Sequence, residues 1–339
     1  MHLESVGRLD AAQIAAVMAL ERRAQAVDHV APLSEQVLLA ARDSAGPGTE
    51  AGTGDAHFLA YDGTHLAGYA HLERGTAGGP AVAESGSSAD GQVAEGATAE
   101  VVVDPADRRH GVGTALIRAI QDALGPQADS LRIWAHGHLD GARALAGRGG
   151  YSIVRELWSM RRPLLPDDGS LPAVTLPDGF AARHFVVGQD EGAWLRVNAR
   201  AFAGHAEQGR LTRHDLDLRV AEPWFDATGF ILVEDTRGAT PVLAASHWTK
   251  IVASARPRMR PTQGEVYVVG VDPEYQGLGL GRAITVLGLE HLREHGVTEA
   301  MLYVDADNTA AIATYSRLGF TRFAVDVMYA PAIQPRVPR

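Results

Sequence analysis

The chain of 339 residues contains no cysteine. Disulfide bonds, thiolate metal sites and a cysteine nucleophile are therefore excluded, and any thiol in its chemistry must come from a ligand. Lysine is almost absent too, because Lys250 is the only one and arginine supplies nearly all of the positive charge. The formal net charge of -10 argues against nucleic acid as a partner, since such proteins neutralise phosphates with a basic surface.

Long apolar runs are missing as well. No segment approaches the roughly 18 consecutive apolar residues that span a bilayer. The first ten residues, MHLESVGRLD, lack the basic segment and apolar stretch of a secretion signal. We therefore expect a cytoplasmic protein that has no membrane contact, and we expect it to act as a monomer.

A repeated pattern divides the chain into two similar halves. The sequence Val103-Asp104-Pro105 leads to Gly111 and Gly113, as Val271-Asp272-Pro273 leads to Gly279 and Gly281, with an offset of 168 positions at each residue. With 46% hydrophobic residues, the chain is long enough for two ordinary cores. The sequence predicts a first domain over 1–162, a proline-rich linker over 163–179 and a second domain over 180–333.

Apolar strands alternate with amphipathic helices in both halves, which predicts an α/β (α+β) class. In the first half the expected helices are 10–24, 34–41, 114–123 and 140–146, and the expected strands are 58–61, 66–72, 131–135 and one from 151. In the second half the expected strands are 181–186, 230–234, 242–251, 266–271, 300–304 and 323–329, and the expected helices are 191–201, 212–220, 282–294 and 309–318. Segments 43–55 and 75–97 are predicted loops because glycine, alanine and serine dominate them.

Each glycine cluster lies between an apolar strand and a helix. Such a turn exposes backbone N–H groups at a helix N-terminus, which favours a phosphate group. A nucleoside-triphosphate loop would need a lysine that neither cluster has, and a dinucleotide fingerprint would need glycine where Leu116 and Ile284 stand. A tight turn without a ligand is an alternative for one cluster, but two matched copies favour anion binding.

The clusters read Arg108-Arg109-His110-Gly111-Val112-Gly113 and Gln276-Gly277-Leu278-Gly279-Leu280-Gly281, and the segment DNTAAIATYSRLGF follows the second at 307–320. Together these motifs resemble the GNAT superfamily of N-acetyltransferases. The resemblance implies two tandem GNAT domains, each a mixed, mostly antiparallel sheet flanked by helices, with acetyl-CoA as acetyl donor and coenzyme A as product. The implied coenzyme contacts are Val269, Gly270, Val271, Gln276, Gly277, Leu278, Gly279, Leu280, Gly281, Arg282, Asn308, Thr309, Ala310, Ala311, Ile312 and Ala313 in the second half, and Val101, Val102, Val103, Arg109, His110, Gly111, Val112, Gly113 and Thr114 in the first.

Acetyl transfer to an amine needs a base for the amine and a proton for the departing thiolate. Glu265 opens the strand before the second glycine cluster, and strand alternation predicts that its side chain shares a face with Tyr267 and Val269. It is the candidate base. The resemblance makes Tyr315 the candidate acid, because the family places a tyrosine of the following helix beside the coenzyme sulfur. Without the resemblance, Glu265 could equally be an ordinary glutamate that faces solvent, and Tyr315 an ordinary tyrosine that is partly buried in the core.

The first half lacks both groups. The repeat offset puts Ala97 opposite Glu265, and alignment of the closing glycines puts Ala146 opposite Tyr315. We therefore expect the first domain to bind coenzyme A without turning it over. Glu100 is an alternative base for this half if the strands align differently.

A closer resemblance is carried by 197–232, by HWTK at 247–250 and by GEVYVVGVDP at 264–273. These stretches resemble the mycothiol synthase family, which acetylates the cysteinyl amine of a cysteinyl-glucosaminyl-inositol in its C-terminal domain. The resemblance implies that this small molecule is the substrate, and the implied substrate contacts are Glu35, Glu207, Lys250, Glu265 and Tyr303. The chain departs from the family in a longer stretch at 251–263 and in Gly277-Leu278, where basic residues are usual.

The sequence is also compatible with two other functions. One is a tandem acetyltransferase for another amine, such as an aminoglycoside or a protein N-terminus, and the other is a non-catalytic sensor of acetyl-CoA. Glu207, Lys250 and the segment EPWFD favour the cysteinyl substrate over another amine. The joint presence of Glu265 and Tyr315 argues against a sensor.

One segment has the spacing of a zinc-binding helix. His291 to His295 reads HLREH, in which the two histidines are four residues apart and lie on one helix face. The same helix follows the glycine cluster, and no third ligand is evident from the sequence. No metal site is therefore predicted.

Overall fold

The computed structural model describes residues 1–43, 55–74, 96–164, 171–203, 206–251 and 263–332. Most of the predicted loops at 43–55 and 75–97, and of the stretch after Lys250, lies outside these residues. Among the described helices, none combines the length and apolar character that a membrane span requires.

Each predicted helix and strand is confirmed, with its ends shifted by a few residues. The first half contains β1 His2–Val6, α1 Ala11–Asp28, α2 Glu35–Asp43, β2 Ala56–Asp62, β3 His65–Glu73, β4 Thr98–Val103, α3 Val112–Leu124, β5 Arg132–Ala135, α4 Asp140–Gly149 and β6 Tyr151–Pro163. The second contains β7 Phe180–His184, α5 Glu191–Ala201, α6 Ala206–Gly209, α7 Arg213–Val220, β8 Phe230–Asp235, β9 Val242–Ile251, β10 Gln263–Val271, α8 Leu280–Glu294, β11 Glu299–Asp305, α9 Thr309–Arg317 and β12 Thr321–Pro331. Strand β1 was not predicted, because it is largely exposed and has no apolar alternation.

The chain forms two compact units. The first consists of the described residues of 1–157 and 325–332, with strand order β1-β2-β3-β4-β5-β12. Its pairs are antiparallel except for β4 with β5. Helix α3 buries Leu116 and Ile120 on one face of the sheet, and helix α1 buries Val17 and Leu20 on the other.

The second unit is built from the described residues of 158–324, with strand order β6-β11-β10-β9-β8-β7. Strands β7 to β10 are antiparallel, whereas β10 and β11 are parallel. Helix α8 packs Leu289 against one face, while Trp194 of α5 and Trp248 of β9 lie in the cluster on the other. Each unit therefore has the predicted mixed, mostly antiparallel sheet between helices.

The units differ from the predicted domains at two strands. Residues 158–163 of β6 belong to the second unit, where Met160 packs into the α8 core. The end of β12 from residue 325 belongs to the first unit, where Val327 pairs with Ala135 of β5. The apolar pattern of a strand predicts a buried face, but it does not specify which sheet supplies the neighbour.

Candidate active site

Strands β10 and β11 part at the position of the candidate base. They pair over only three residues of each strand, and the last pair joins Glu265 to Met301. Both strands continue beyond it, β10 to Val271 and β11 to Asp305. The backbone of 266–271 therefore borders an opening in which an extended ligand with amide groups can take the place of a strand.

A β-bulge lies just beyond Glu265. Val266 pairs with Thr249 and Val268 with Trp248, so that Tyr267 is the additional residue on β10. Val268 consequently joins Tyr267 in the aromatic cluster around Trp248, while Val269 packs against the α8 side. The prediction that Glu265, Tyr267 and Val269 share one face is therefore wrong for Val269, because the bulge interrupts the alternation.

Four side chains meet beside this opening. Lys250 of β9 stands directly opposite Glu265 of β10 on the same face of the sheet. The Lys250 Nζ lies 4.7 Å from the ring centre of Trp224 and 5.0 Å from that of Tyr267. Two aromatic faces attract an ammonium group and orient it. We call Lys250, Glu265, Tyr267 and Trp224 the Lys250 cluster.

Arg219 supports this cluster and was missed from the sequence. Its Nε donates a hydrogen bond of 2.8 Å to the Tyr267 hydroxyl, and only 7% of the residue is exposed. The arginine therefore fixes the tyrosine ring on which Lys250 rests. A usable signal existed, because Arg219 lies three residues after Leu216 and thus on the buried face of α7.

The candidate acid, Tyr315, lies on α9. Asn308 begins this helix, and its Oδ1 accepts the backbone N–H of Ala311 at 3.1 Å. The Tyr315 ring packs edge-on against Phe320 at 5.8 Å. Burial raises the pKa of Tyr315 to about 12, so its hydroxyl keeps its proton at neutral pH. A proton donor needs this property.

The second glycine loop has the backbone geometry of an anion site. Gly277 and Gly279 have φ angles of +80° and +81°, in the left-handed region that favours glycine. No atom lies within 4 Å of the position where a Cβ would stand on either residue. The loop is exposed and ends at the N-terminus of α8, where N–H groups and the helix dipole suit the pyrophosphate of acetyl-CoA.

The other predicted coenzyme residues of this unit lie at the end of β10 and on the elements that follow β10 and β11 in the chain. They lie at the end of β10 (Val269, Gly270, Val271), in the glycine loop and first turn of α8 (Gln276, Leu278, Leu280, Gly281, Arg282) and along α9 (Thr309, Ala310, Ala311, Ile312, Ala313). Leu280 is buried and anchors the loop to the core.

The first glycine loop follows the same backbone path. Arg109 has a φ of 70° where the second loop has Gly277, and Gly111 has a φ of 87° where the second has Gly279. Arg108 is engaged by Asp28 through two hydrogen bonds of 2.7 and 2.6 Å. The remaining predicted residues lie at the end of β4 (Val101, Val102, Val103) and around the start of α3 (His110, Val112, Gly113, Thr114).

A buried ion-pair group occupies the place where β4 and β5 part. Glu100 is the last paired residue of β4, and its Oε2 lies 3.3 Å from His136 Nε2. The same oxygen accepts the backbone N–H of Ser34 at 2.6 Å. His136 Nδ1 lies 3.1 Å from the Oδ2 of Asp326, whose Oδ1 accepts the Gly137 N–H at 2.7 Å.

The electrostatics of this group argue against Glu100, the alternative base of the first half. Burial disfavours the charged form of His136, but the carboxylates of Glu100 and Asp326 outweigh it and raise the His136 pKa to about 10. Burial likewise opposes ionised Glu100, but His136 and Ser34 hold the Glu100 pKa below its usual value. A paired carboxylate of low pKa is a poor proton acceptor, which argues against Glu100 as a base.

The predicted substrate residues lie on elements of both units. Lys250 and Glu265 are neighbours, and Tyr303 lies on β11 two residues beyond the last ladder pair, with 46% of it exposed. Glu35 is the first residue of α2 in the first unit. Glu207 lies on α6, where its side chain falls outside the described part of the structure.

Comparison with known proteins places these features in a family. Residues 25–150 and 205–320 match the Acetyltransferase (GNAT) family. A mycothiol acetyltransferase of Kytococcus sedentarius is 47% identical over 315 residues, covering 93% of this chain and 92% of the relative. A mycothiol acetyltransferase of Geodermatophilus obscurus is 47% identical over 330 residues, covering 97% and 98%.

Solved structures show the same fold. A tandem GNAT protein from the clavulanic acid biosynthesis pathway superposes with a TM-score of 0.65 at 21% identity, covering 98% of this chain and 99% of that one. A GCN5-related N-acetyltransferase from Sphaerobacter thermophilus gives 0.61 at 23% identity, covering 99% and 98%. Since the family match spans most of the chain and its full-length relatives share nearly half of its residues, the chain belongs to the acetyltransferase (GNAT) family, among the mycothiol acetyltransferases.

Proposed function

We propose that this acetyltransferase moves the acetyl group of acetyl-CoA to the cysteinyl amine of cysteinyl-glucosaminyl-inositol, the last step of mycothiol biosynthesis. The observation that carries the proposal is the coincidence of Glu265, the Lys250 cluster and the parting of β10 from β11. The names of the full-length relatives support the choice of acceptor. A monomeric state, a cytoplasmic location and coenzyme binding by the first unit stay predictions.

Acetyl-CoA supplies the acetyl group as an activated thioester. The N–H groups of 276–282 hold its pyrophosphate, and the backbone of 266–271 aligns the remainder along the opening. Glu265 accepts a proton from the acceptor ammonium, which leaves the amine neutral and nucleophilic. Tyr315 holds a proton on its hydroxyl for the sulfur that leaves. Lys250, oriented by Trp224 and Tyr267, donates hydrogen bonds to oxygen atoms of the acceptor.

The acceptor is tested by comparing kcat/KM for four amines with acetyl-CoA, using mass detection of each product. The amines are cysteinyl-glucosaminyl-inositol, glucosaminyl-inositol without the cysteine, an aminoglycoside and a peptide N-terminus. We expect the first to be preferred by about 100-fold or more, because the polar groups of a dedicated site are left unpaired by the wrong substrate. An equal or higher kcat/KM for another amine would replace the proposed acceptor with that one.

Replacing Tyr315 with phenylalanine tests the acid. We expect kcat to fall by about 10-fold, below the usual range for acid–base groups, because water can protonate a thiolate of modest basicity. The same replacement at Tyr329, a buried tyrosine of the first unit, should leave kcat unchanged. A Tyr315→Phe rate equal to wild type across the whole pH range would remove Tyr315 from the mechanism.

A further inference from the structure

Three potential metal ligands converge at the far end of α8. Asp226, His291 and His295 each place a ligand atom within 4.8 Å of the others. The two histidines are four residues apart at the C-terminal end of α8, and Asp226 precedes the turn that enters β8. This carboxylate is the third ligand that the sequence HLREH alone did not reveal, because it comes from a distant segment.

The three groups line a pocket of 270 Å³. Its other walls are largely apolar and come from the segment before β8 and from β9; they are Pro223, Trp224, Phe225, Thr249 and Ile251. The group therefore borders a cavity with room for an additional ligand rather than standing on an open helix face.

Hydrogen bonds already orient His295 and Asp226, and the Asp226 Oδ1 accepts the backbone N–H of Thr228 at 2.9 Å. The Nδ1 of His295 lies 2.8 Å from the carbonyl oxygen of His291 and must donate to it, so in the neutral imidazole the lone pair is on Nε2. Metal-binding histidines commonly use one ring nitrogen in this way. The His291 Nε2 lies 3.7 Å from the Asp226 Oδ2, and the two imidazole rings are centred 4.1 Å apart.

A second group in the described residues serves as a contrast. His65, Asp104 and Asp107 also lie within 4.8 Å of one another. Arg23 Nε, however, lies 2.6 Å from the Asp104 carboxylate and already neutralises it. A fixed guanidinium beside the ligands repels a cation, so this group is the weaker candidate.

We propose that Asp226, His291 and His295 bind one divalent transition-metal ion, and that Zn²⁺ is the ion that fits best. Zinc accepts mixed imidazole and carboxylate ligands at about 2.0–2.2 Å and tolerates an open fourth position, which a molecule in the pocket can take. Such bonds require the three ligand atoms to approach one another by about 1 Å. His291 is buried, whereas Asp226 and His295 are more exposed, and this approach needs an adjustment of their hydrogen bonds with Thr228 and with the His291 carbonyl. The bound ion links the segment before β8, which carries Trp224 and Asp226, to the C-terminal end of α8.

The test is calorimetric titration of Zn²⁺ into the tag-free, chelator-treated full-length chain, with Co²⁺ absorption as a probe of coordination. We expect one site per chain with a Kd of about 1 μM or lower. His295→Gln and Asp226→Asn each remove one ligand from an exposed side chain, and we expect each to weaken binding by about 100-fold or more. His65→Gln is the matched control and should leave the affinity unchanged.

Binding is read without substrate, so the result is independent of the proposed acetyl transfer. Far-UV circular dichroism confirms that each variant is folded. Three results would overturn the site: no saturable Zn²⁺ binding by the wild type, an unchanged Kd in His295→Gln and Asp226→Asn, or a loss of binding in His65→Gln.

Discussion

Glu265→Gln is expected to lower kcat by roughly 10²- to 10⁴-fold, the range for general acid–base groups, without unfolding the protein. Glutamine keeps the size and polarity of the side chain but cannot accept a proton from the acceptor ammonium. The side chain stands at the last pair of the β10–β11 ladder, directly opposite Lys250. The substitution therefore removes the proton acceptor beside the opening where β10 and β11 part.

The measurement is steady-state kinetics with both substrates saturating, alongside thermal unfolding of each variant. Glu299→Gln is the matched control, because Glu299 lies on β11 in the same three-residue ladder and pairs at the surface with Arg161 and Gln263. Its kcat should equal that of the wild type. Unchanged turnover in Glu265→Gln would remove Glu265 as the base.

His136→Asn is expected to destabilise the first unit by about 3 kcal/mol, because removal of one partner leaves buried charge without compensation. The imidazole bridges Glu100 at 3.3 Å and Asp326 at 3.1 Å, and asparagine reproduces neither its charge nor its reach. Urea unfolding at pH 6.5 measures the loss. His65→Gln, which alters an exposed contact with Asp107, should cost less than about 1 kcal/mol.

The same group predicts the pH dependence of stability. The pKa of His136 is raised to about 10 in the folded protein, against about 6.5 in an unfolded chain. Its contribution is therefore complete below pH 6.5 and is lost as the pH rises through 10. Glu100 behaves oppositely, because its folded pKa is lowered and its contribution is lost only in acid.

Between pH 6.5 and 10 the unfolding free energy of the wild type should thus decline more steeply than that of His136→Asn. Parallel curves for the two proteins over this range would show that His136 is not charged in the folded state.

Features that depend on local sequence could be predicted. The repeated pattern predicts a glycine turn before a helix in both copies, and Gly111 and Gly279 lie in such turns, where they have left-handed backbone. Helix α5 and strand β9 begin and end where apolar spacing places them. These elements follow from turn chemistry and from periodicities of 3.6 and 2.0 residues, which a single sequence displays.

Features that depend on which strand or segment packs next to an element could not be predicted from the sequence. The apolar pattern of β12 does not show that Val327 pairs with β5 of the first unit. Nothing in the spacing of β10 indicates the bulge at Tyr267, which turns Val269 to the other face. The approach of Asp226 to His291 likewise arises from tertiary packing between distant segments. Periodicity predicts which residues are buried, but contact between segments is decided by packing.

The most direct test of acetyl transfer in the second unit compares Gly279→Val with Gly111→Val. Both glycines have left-handed backbone, and no atom lies within 4 Å of either Cβ position, so each valine projects into the open space beside its loop. Thermal unfolding measures the backbone strain, which is shared by the two variants. We predict that Gly279→Val lowers kcat/KM for acetyl-CoA by about 100-fold or more, whereas Gly111→Val stays within about twofold of wild type. Loss of acetyl transfer in folded Gly111→Val, with Gly279→Val still active, would place the chemistry in the first unit instead.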